Sequence, residues 1–368
     1  MSTLTEASRQ WATRPSDQRF QSLEALFQSV RNRQMRSRAA DIPLAKIEAK
    51  VSDDGQGIQL NHGINAVQPT HWSMGQLSTW IEAPAGYLRT LSPALAVDNI
   101  NYGLQKVSKN GLSNKAKNDV LKFMSIVSED ESPNTLQAVT STTYGRIWDV
   151  DVVKCAMNLQ DKSNGKFHNP LAYNRQTGAP EPSGLYASDR DVFIFMIDGG
   201  SMLEVGPRAK MNRGFFLSNS ETGSRIFKLT TFLFNHCCGN HFVYGADDIA
   251  TTKIRHTGGG PARFEAEAGP ALLAYANASV APIETAIRKA QDYLLPLDEK
   301  ELLAWFTNRK FTRTEALESI DYARREEGDC RTLWQAVQGA TAYARGFAHI
   351  DARVALETTA GELMDLVK

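Results

Sequence analysis

The sequence predicts an α+β protein, a largely antiparallel sheet packed with helices and followed by a helical C-terminal region. Three observations carry this reading. Short apolar runs with a period near two, punctuated by Gly, Asn, Asp and Ser clusters, recur from Ala45 to Arg255. Beyond Gly260 the strand formers fade, and alanine, leucine and charged residues dominate. The composition, 42% hydrophobic and 22% charged over 368 residues, is that of a globular chain. The expected organisation is an N-terminal helical arm (1–44), an α+β core (45–260) and a helical C-terminal region (261–368).

Asp17 to Arg38 reads as a helix. Phe20, Leu23, Leu26, Phe27 and Val30 fall at helical spacing, and Ser16 or Asp17 can cap the start. Its end carries Arg31, Arg33, Arg36 and Arg38, which suit the negative end of the helix dipole and would also suit a phosphate. Ala45–Val51 and Ile58–Asn61 read as strands across an Asp53-Asp54-Gly55 turn. Ser73–Ile81, Tyr87–Leu91 and Pro93–Val107 read as helices, with Pro93 in a first turn. Val120–Val127 and Leu136–Thr140 form a hairpin around Ser128–Asn134, and a helix follows over Asp149–Leu159, its first-turn acids complementing the dipole. Asp161–Ser188, rich in Gly, Pro, Asn and Ser, reads as a long loop that interrupts the core. Val192–Ile197, Phe215–Leu217, Ile226–Phe234, Phe242–Tyr244 and Ile249–Arg255 complete the sheet. Pro270 and Pro282 are expected to break 262–295 into separate helices. Asp298–Thr307 is helical, and the capping box Thr312-Arg313-Thr314-Glu315 opens a helix to Arg325. Thr332–Phe347 and Asp351–Val367 complete the helical region.

Lys and Arg total 41, as do Asp and Glu, for a formal net charge of +0. That excludes a uniformly basic surface but leaves room for a basic face balanced by an acidic one. Cys155, Cys237, Cys238 and Cys330 form no extracellular staple pattern, and the first residues lack the apolar core of a signal peptide. Reduced thiols, a cytoplasmic location and no membrane partner are the expectations.

Several segments share an order along the chain: Ser141-Thr142-Thr143-Tyr144, the turn Asn219-Ser220-Glu221-Thr222-Gly223-Ser224, Cys238-Gly239-Asn240, Arg255-His256-Thr257-Gly258, and Asp351-Ala352-Arg353 through Glu357 to Ala360-Gly361. In these the chain, from about Ala45 to its end, resembles the "domain of unknown function 932" family of phage- and plasmid-like proteins. It departs from that pattern at His241, where a glycine usually follows the Cys-x-Asn. The sheet plus helices is in turn similar to the Rad fifty-two type of single-strand annealing protein. The resemblance implies a homo-oligomer that lays single-stranded DNA along a basic groove, in a bacterial host cytoplasm and without a cofactor.

The residues suggest where such a groove would lie. Lys106, Lys109, Lys115 and Lys117 surround a polar loop. Arg208, Lys210 and Arg213 precede the Asn219 turn, Arg225 and Lys228 follow it, and Arg255 and His256 adjoin Gly258-Gly259-Gly260. Mobile cations of this kind displace the counterions of a nucleic-acid backbone, and Tyr144, Trp148, Phe215, Phe216 and Tyr244 offer faces on which bases stack. Two other chemistries remain open. His236, Cys238 and His241 are metal-ligand types, although only one close grouping exists where zinc wants two. A Cys/His nucleophile for a hydrolase could use Asn240 or Asp247 to orient the imidazole. A third possibility is an anti-defence protein acting by protein–protein binding. Glu221 reads as a turn residue, with no partner acid at useful spacing.

Overall fold

The computed structural model describes residues 16–62, 65–110, 119–129, 132–173, 180–182, 184–204, 210–235, 240–242, 251–347 and 350–367. Strand β1 (Arg19–Phe20) and helix α1 (Leu23–Arg36) lead into β2 (Ser37–Pro43), β3 (Ile47–Val51), β4 (Ile58–His62) and β5 (Asn65–Pro69). Helices α2 (His71–Trp80), α3 (Ala85–Leu88) and α4 (Pro93–Asn110) precede β6 (Val120–Ile126) and β7 (Asn134–Ser141). After α5 (Asp149–Lys162) come the short strands β8 (Phe167–His168), β9 (Leu171–Tyr173), β10 (Pro180–Pro182) and β11 (Leu185–Ala187). The long strands β12 (Val192–Glu204), β13 (Lys210–Asn219) and β14 (Phe227–Asn235) follow, then β15 (Asn240–Phe242) and β16 (Thr251–Ile254). Helices α6 (Gly260–Asn277), α7 (Ala281–Asp292), α8 (Glu299–Thr307), α9 (Arg313–Glu327), α10 (Leu333–Ala344) and α11 (Ile350–Glu362) close the chain.

The α+β class holds, with two large sheets and a two-stranded one, β9 with β10, where one sheet was expected. The first sheet is antiparallel, in the order β1-β11-β12-β13-β14-β15, with β16 also on β14 and β8 on β12. The second runs β2-β6-β7-β5-β4-β3 and is mixed, because β5 and β7 are parallel. A parallel pair needs a long crossover, and α2 to α4 supply it. In the first sheet, Val192, Ile194, Phe215, Leu217, Phe227 and Leu229 face one core, shared with Leu23, Leu26 and Val30 of α1 and Phe264 and Leu272 of α6. The N-terminal helix is therefore part of the main core. It begins at Leu23, later than the periodicity suggests, because Arg19 and Phe20 pair with Tyr186 and Leu185, and Ser22 caps the helix from Ala25 N at 3.2 Å.

Two further differences have clear causes. The expected loop over Asp161–Ser188 contains four short strands, so its backbone polar groups are met by sheet neighbours rather than by water alone. Pro270 does not break α6. The carbonyl it orphans belongs to Ala266, and both residues are exposed, so water can satisfy it. The break falls at 278–280, and Pro282 sits in the first turn of α7. The capping box at Thr312 and Glu315 forms as expected.

Arg213 is the central charged residue of this core. Its Nε donates to Asp198 at 2.8 Å, and its terminal nitrogens donate to the carbonyls of Tyr275 (3.0 Å), Ala276 (2.7 Å) and Ala278 (2.6 Å). The guanidinium thus pairs a fully buried carboxylate and collects the orphan carbonyls at the end of α6. Arg213→Ala should lower stability by about 3 kcal/mol, since it leaves the buried Asp198 with only the half-exposed Lys166 as counter-ion and removes the donors to the Ala276 and Ala278 carbonyls. Urea unfolding checks this, and a loss under 1 kcal/mol would contradict it.

Candidate functional site

The turn after β13 is a loop, yet Asn219, Ser220, Glu221 and Thr222 are all buried to 1% exposure or less. Buried backbone must be paired. The Ser220 carbonyl accepts from Tyr144 Oη (3.1 Å), that of Glu221 from Arg146 Nε (3.0 Å), and that of Thr222 from Trp72 Nε1 (3.0 Å) and Gln76 Nε2 (2.7 Å). Gln76 also accepts from Val139 N at 2.9 Å, tying the turn to the second sheet. Gly223 follows with φ +87, a conformation that asks for glycine. The hydroxyls of Ser220, Thr222 and Ser224 all donate to one acceptor, the Arg190 carbonyl, at 2.5, 3.2 and 3.2 Å.

Glu221 does have a partner acid, and it lies at the start of α5. Glu221 Oε1 accepts from Asp149 N at 2.8 Å, and Asp149 accepts from Asn219 Nδ2 (2.8 Å) and Arg33 (2.6 Å). Arg33 Nε stands 3.5 Å from Glu221 Oε2. Burial, with the Glu221 charge beside it, pushes the Asp149 carboxyl well above the usual range, against Arg33 and Asn219. Burial opposes the charge on Arg33, but the carboxylates of Glu221 and Asp149 outweigh it and raise its pKa. This pair of acids is enclosed and held by hydrogen bonds to the chain, the signature of a structural network. Arg33 suits the helix dipole and a phosphate by its position in the sequence, and the structure commits it to neither. Its true partners lie far off in sequence, beyond any local spacing.

Above the network lies a half-open cleft of about 460 Å³, lined by Gln18, Phe20, Arg33, His71, Trp72, Asp189 and Arg190 among others. Burial, followed by the charges of Arg89 and Arg190, pushes the His71 imidazole down and favours its neutral form. Below the turn, His256 stacks on Tyr144 with ring centroids 5.1 Å apart, and its Nδ1 accepts from Ile147 N at 3.3 Å. Gly145 lies so close to the Thr257 carbonyl that a side chain there would collide with it.

Among the described residues, the sequence-derived cations do not form one groove. Arg213 is buried in its ion pair, so it is corrected from a DNA contact to a core clamp. His256 is turned inward and is likewise corrected. Arg225 pairs with Asp191 at 3.4 Å and lies 4.6 Å over the Phe193 ring. Lys106 pairs with Glu82 at 3.4 Å, and Lys109 is exposed in the last turn of the same helix, which packs on the second sheet rather than the first. Phe215 and Phe216 are core residues, and Tyr144 is engaged with the turn. Lys115, Lys117, Arg208, His236, Cys237, Cys238, Tyr244 and Asp247 lie outside the described residues, as do the side chains of Lys210 and His241. Burial pushes the Cys155 thiol up to about 11 and the Cys330 thiol up to about 12, which makes both inert at neutral pH.

What the structure does bring together is a row across the first sheet. Arg19 pairs with Tyr186, Tyr186 with Phe193, Phe193 with Ser218, Ser218 with Lys228, and Lys228 with Lys253. Directly paired residues share a face, so this row crosses six strands, roughly 24 Å at ordinary strand spacing. Arg225 caps its middle over Phe193, and Arg255 is exposed two residues beyond Lys253. Among the described residues, Arg19, Lys228, Lys253 and Arg255 have no ion pair, and burial together with the Lys253 charge lowers the Lys228 pKa. Lys228, Arg225 and Arg255 were among the sequence candidates; Arg19 and Lys253 were not, because only strand register aligns them. No family model, curated protein or solved structure matches the chain. No helix among the described residues is long and apolar enough to cross a membrane.

The turn should announce itself in acid. Burial pushes His256 from 6.5 down to about 4, so the unfolded chain takes up this proton first. The stability contributed by neutral His256 is complete above pH 6.5 and is lost as the pH falls toward 4, about 3 kcal/mol in all. His256→Phe keeps the ring stack and removes that loss. Denaturation at pH 7 and pH 4 should therefore show a shallower decline in the variant than in the parent, and equal declines would refute the assignment.

Proposed function

We propose that this chain is a single-stranded DNA-binding protein of the phage or plasmid type, acting as a homo-oligomer in strand annealing during recombination. One observation carries the reading: Lys228 and Lys253 stand directly opposite each other on adjacent strands without an acidic partner among the described residues. Like charges so placed cost stability in a sheet. A polyanion laid across the row removes that cost and gains from every cation it meets. Arg255 extends the cationic end formed by Lys228 and Lys253, and Arg19 stands at the opposite edge; between them Phe193 and Ser218 are buried, so a strand is gripped at the two ends of the row rather than along its middle. Annealing requires no nucleophile, only backbones held and bases left free to pair. The neutral total is no obstacle, because cations gathered on one face can be balanced by acids on another. Two strands must be held to anneal, which a second copy would provide, and Leu294 and Leu297, exposed to 76% and 75%, offer apolar contact for assembly.

Fluorescence anisotropy with a labelled oligonucleotide tests this. Four unpaired cations predict a slope of log affinity against log salt near −3, at about 0.7 per phosphate neutralised in a single strand. The double variant Lys228→Glu/Lys253→Glu should bind at least tenfold more weakly and flatten the slope by about 1.4. No binding at low salt, or a double variant indistinguishable from the parent, would remove the proposal.

A further inference from the structure

We infer that the cleft beside the buried turn receives a single nucleotide, with the base against Trp72 and its phosphate at Arg190. The inference rests on the DNA-binding reading for its biological setting, but the site is defined by its own walls. A volume of about 460 Å³ lies within the range of small-ligand sites. Phe20 and Trp72 supply flat apolar faces, Arg190 a cation that stands 3.9 Å from the Asp189 carboxylate, and Asp17 a carboxylate that can accept from the exocyclic amine of a base. That combination matches a nucleoside monophosphate better than a lone phosphate, which would gain nothing from the carboxylates or the rings.

Three of the walls are pre-organised, two of them by the turn itself and the third by the turn together with Asp149. Trp72 is fixed by its indole bond to the Thr222 carbonyl. The Arg190 backbone is fixed by the three hydroxyls of the turn, and Arg33 by Asp149 and Glu221. Pre-set geometry of this kind lowers the ordering cost of binding. Position completes the argument. Gln18 and Phe20 flank Arg19, and Ala187 follows Tyr186, so the cleft opens at the sheet edge where the cationic row ends. Arg19 and Tyr186 face one side of the sheet and Phe20 and Ala187 the other. A strand held at Arg19 would reach the cleft by passing over that edge, placing a terminal or splayed nucleotide inside.

The test is titration calorimetry of the full chain with dCMP and dAMP, with deoxyribose 5-phosphate as the baseless control. Both nucleotides should bind saturably and at least about tenfold more tightly than the control, reflecting one base stacked on an aromatic. Trp72→Ala and Arg190→Ala should each weaken dCMP by roughly tenfold. Because Trp72 also anchors the turn, Trp72→Phe accompanies it: this variant keeps a stacking ring and should retain most of the affinity, and a melting curve for each variant shows whether the fold survives. Lys228→Glu/Lys253→Glu should leave dCMP binding unchanged while weakening oligonucleotides. Absence of saturable nucleotide binding, equal binding of the control, or loss on the lysine changes with none on Trp72→Ala would each overturn the cleft assignment. Intact dCMP binding with no oligonucleotide binding would overturn the DNA reading and leave the cleft standing.

Discussion

The fold depends on burying a turn that physics would ordinarily leave in water. From Ser220 to Thr222, each carbonyl is taken by a side chain from another part of the chain: Tyr144, Arg146, Trp72 and Gln76. A single such bond adds little net stability, but a buried carbonyl left without one costs about 1–3 kcal/mol. The turn is therefore stable inside only when α2, the segment before α5 and the end of β13 have all arrived. That condition makes the two sheets and the N-terminal helix one cooperative unit, because Arg33 of α1 closes the same network through Asp149 and Glu221.

Electrical neutrality takes on a different meaning in this light. The chain spends its charges in two ways. Inside, arginines meet carboxylates at close range: Arg33 with Asp149, Arg213 with Asp198, and Arg225 with Asp191. Guanidinium suits these positions because its planar fork can serve several acceptors at once, as Arg213 does with four. Each internal pair removes one cation and one carboxylate together, so the balance of the remaining charges is unchanged. Lys228 and Lys253 stand without an acidic partner among the described residues because acids are placed elsewhere, not because the total is basic.

How much of this the sequence discloses follows from how local each signal is. Helices with a cap and a periodic face were legible, and the capping box at Thr312 was found where it forms. The turn at Asn219 was legible as a turn, because glycine at 223 and the polar run are local signals. Its burial was not, since the partners of Glu221 lie at Asp149 and Arg33. Arg213 looked like a free cation for the same reason: Asp198 and the end of α6 reach it only through the fold. The second sheet was missed because its parallel pair, β5 with β7, is joined through three helices rather than a turn.

The cationic row illustrates the same limit from the opposite side. Along β14 the residues alternate, with Phe227 and Leu229 entering the core and Lys228 facing the other way. The alternation is visible in the sequence, but the alignment of Lys228 with Ser218 on one neighbour and Lys253 on the other is set by register. A slip of one residue would drive Lys228 into the core and expel two large apolar side chains, a cost of several kcal/mol from the apolar burial alone. The packing that buries Phe227 and Leu229 is thus the same constraint that holds two lysines face to face. The row exists because the core beneath it tolerates no other pairing.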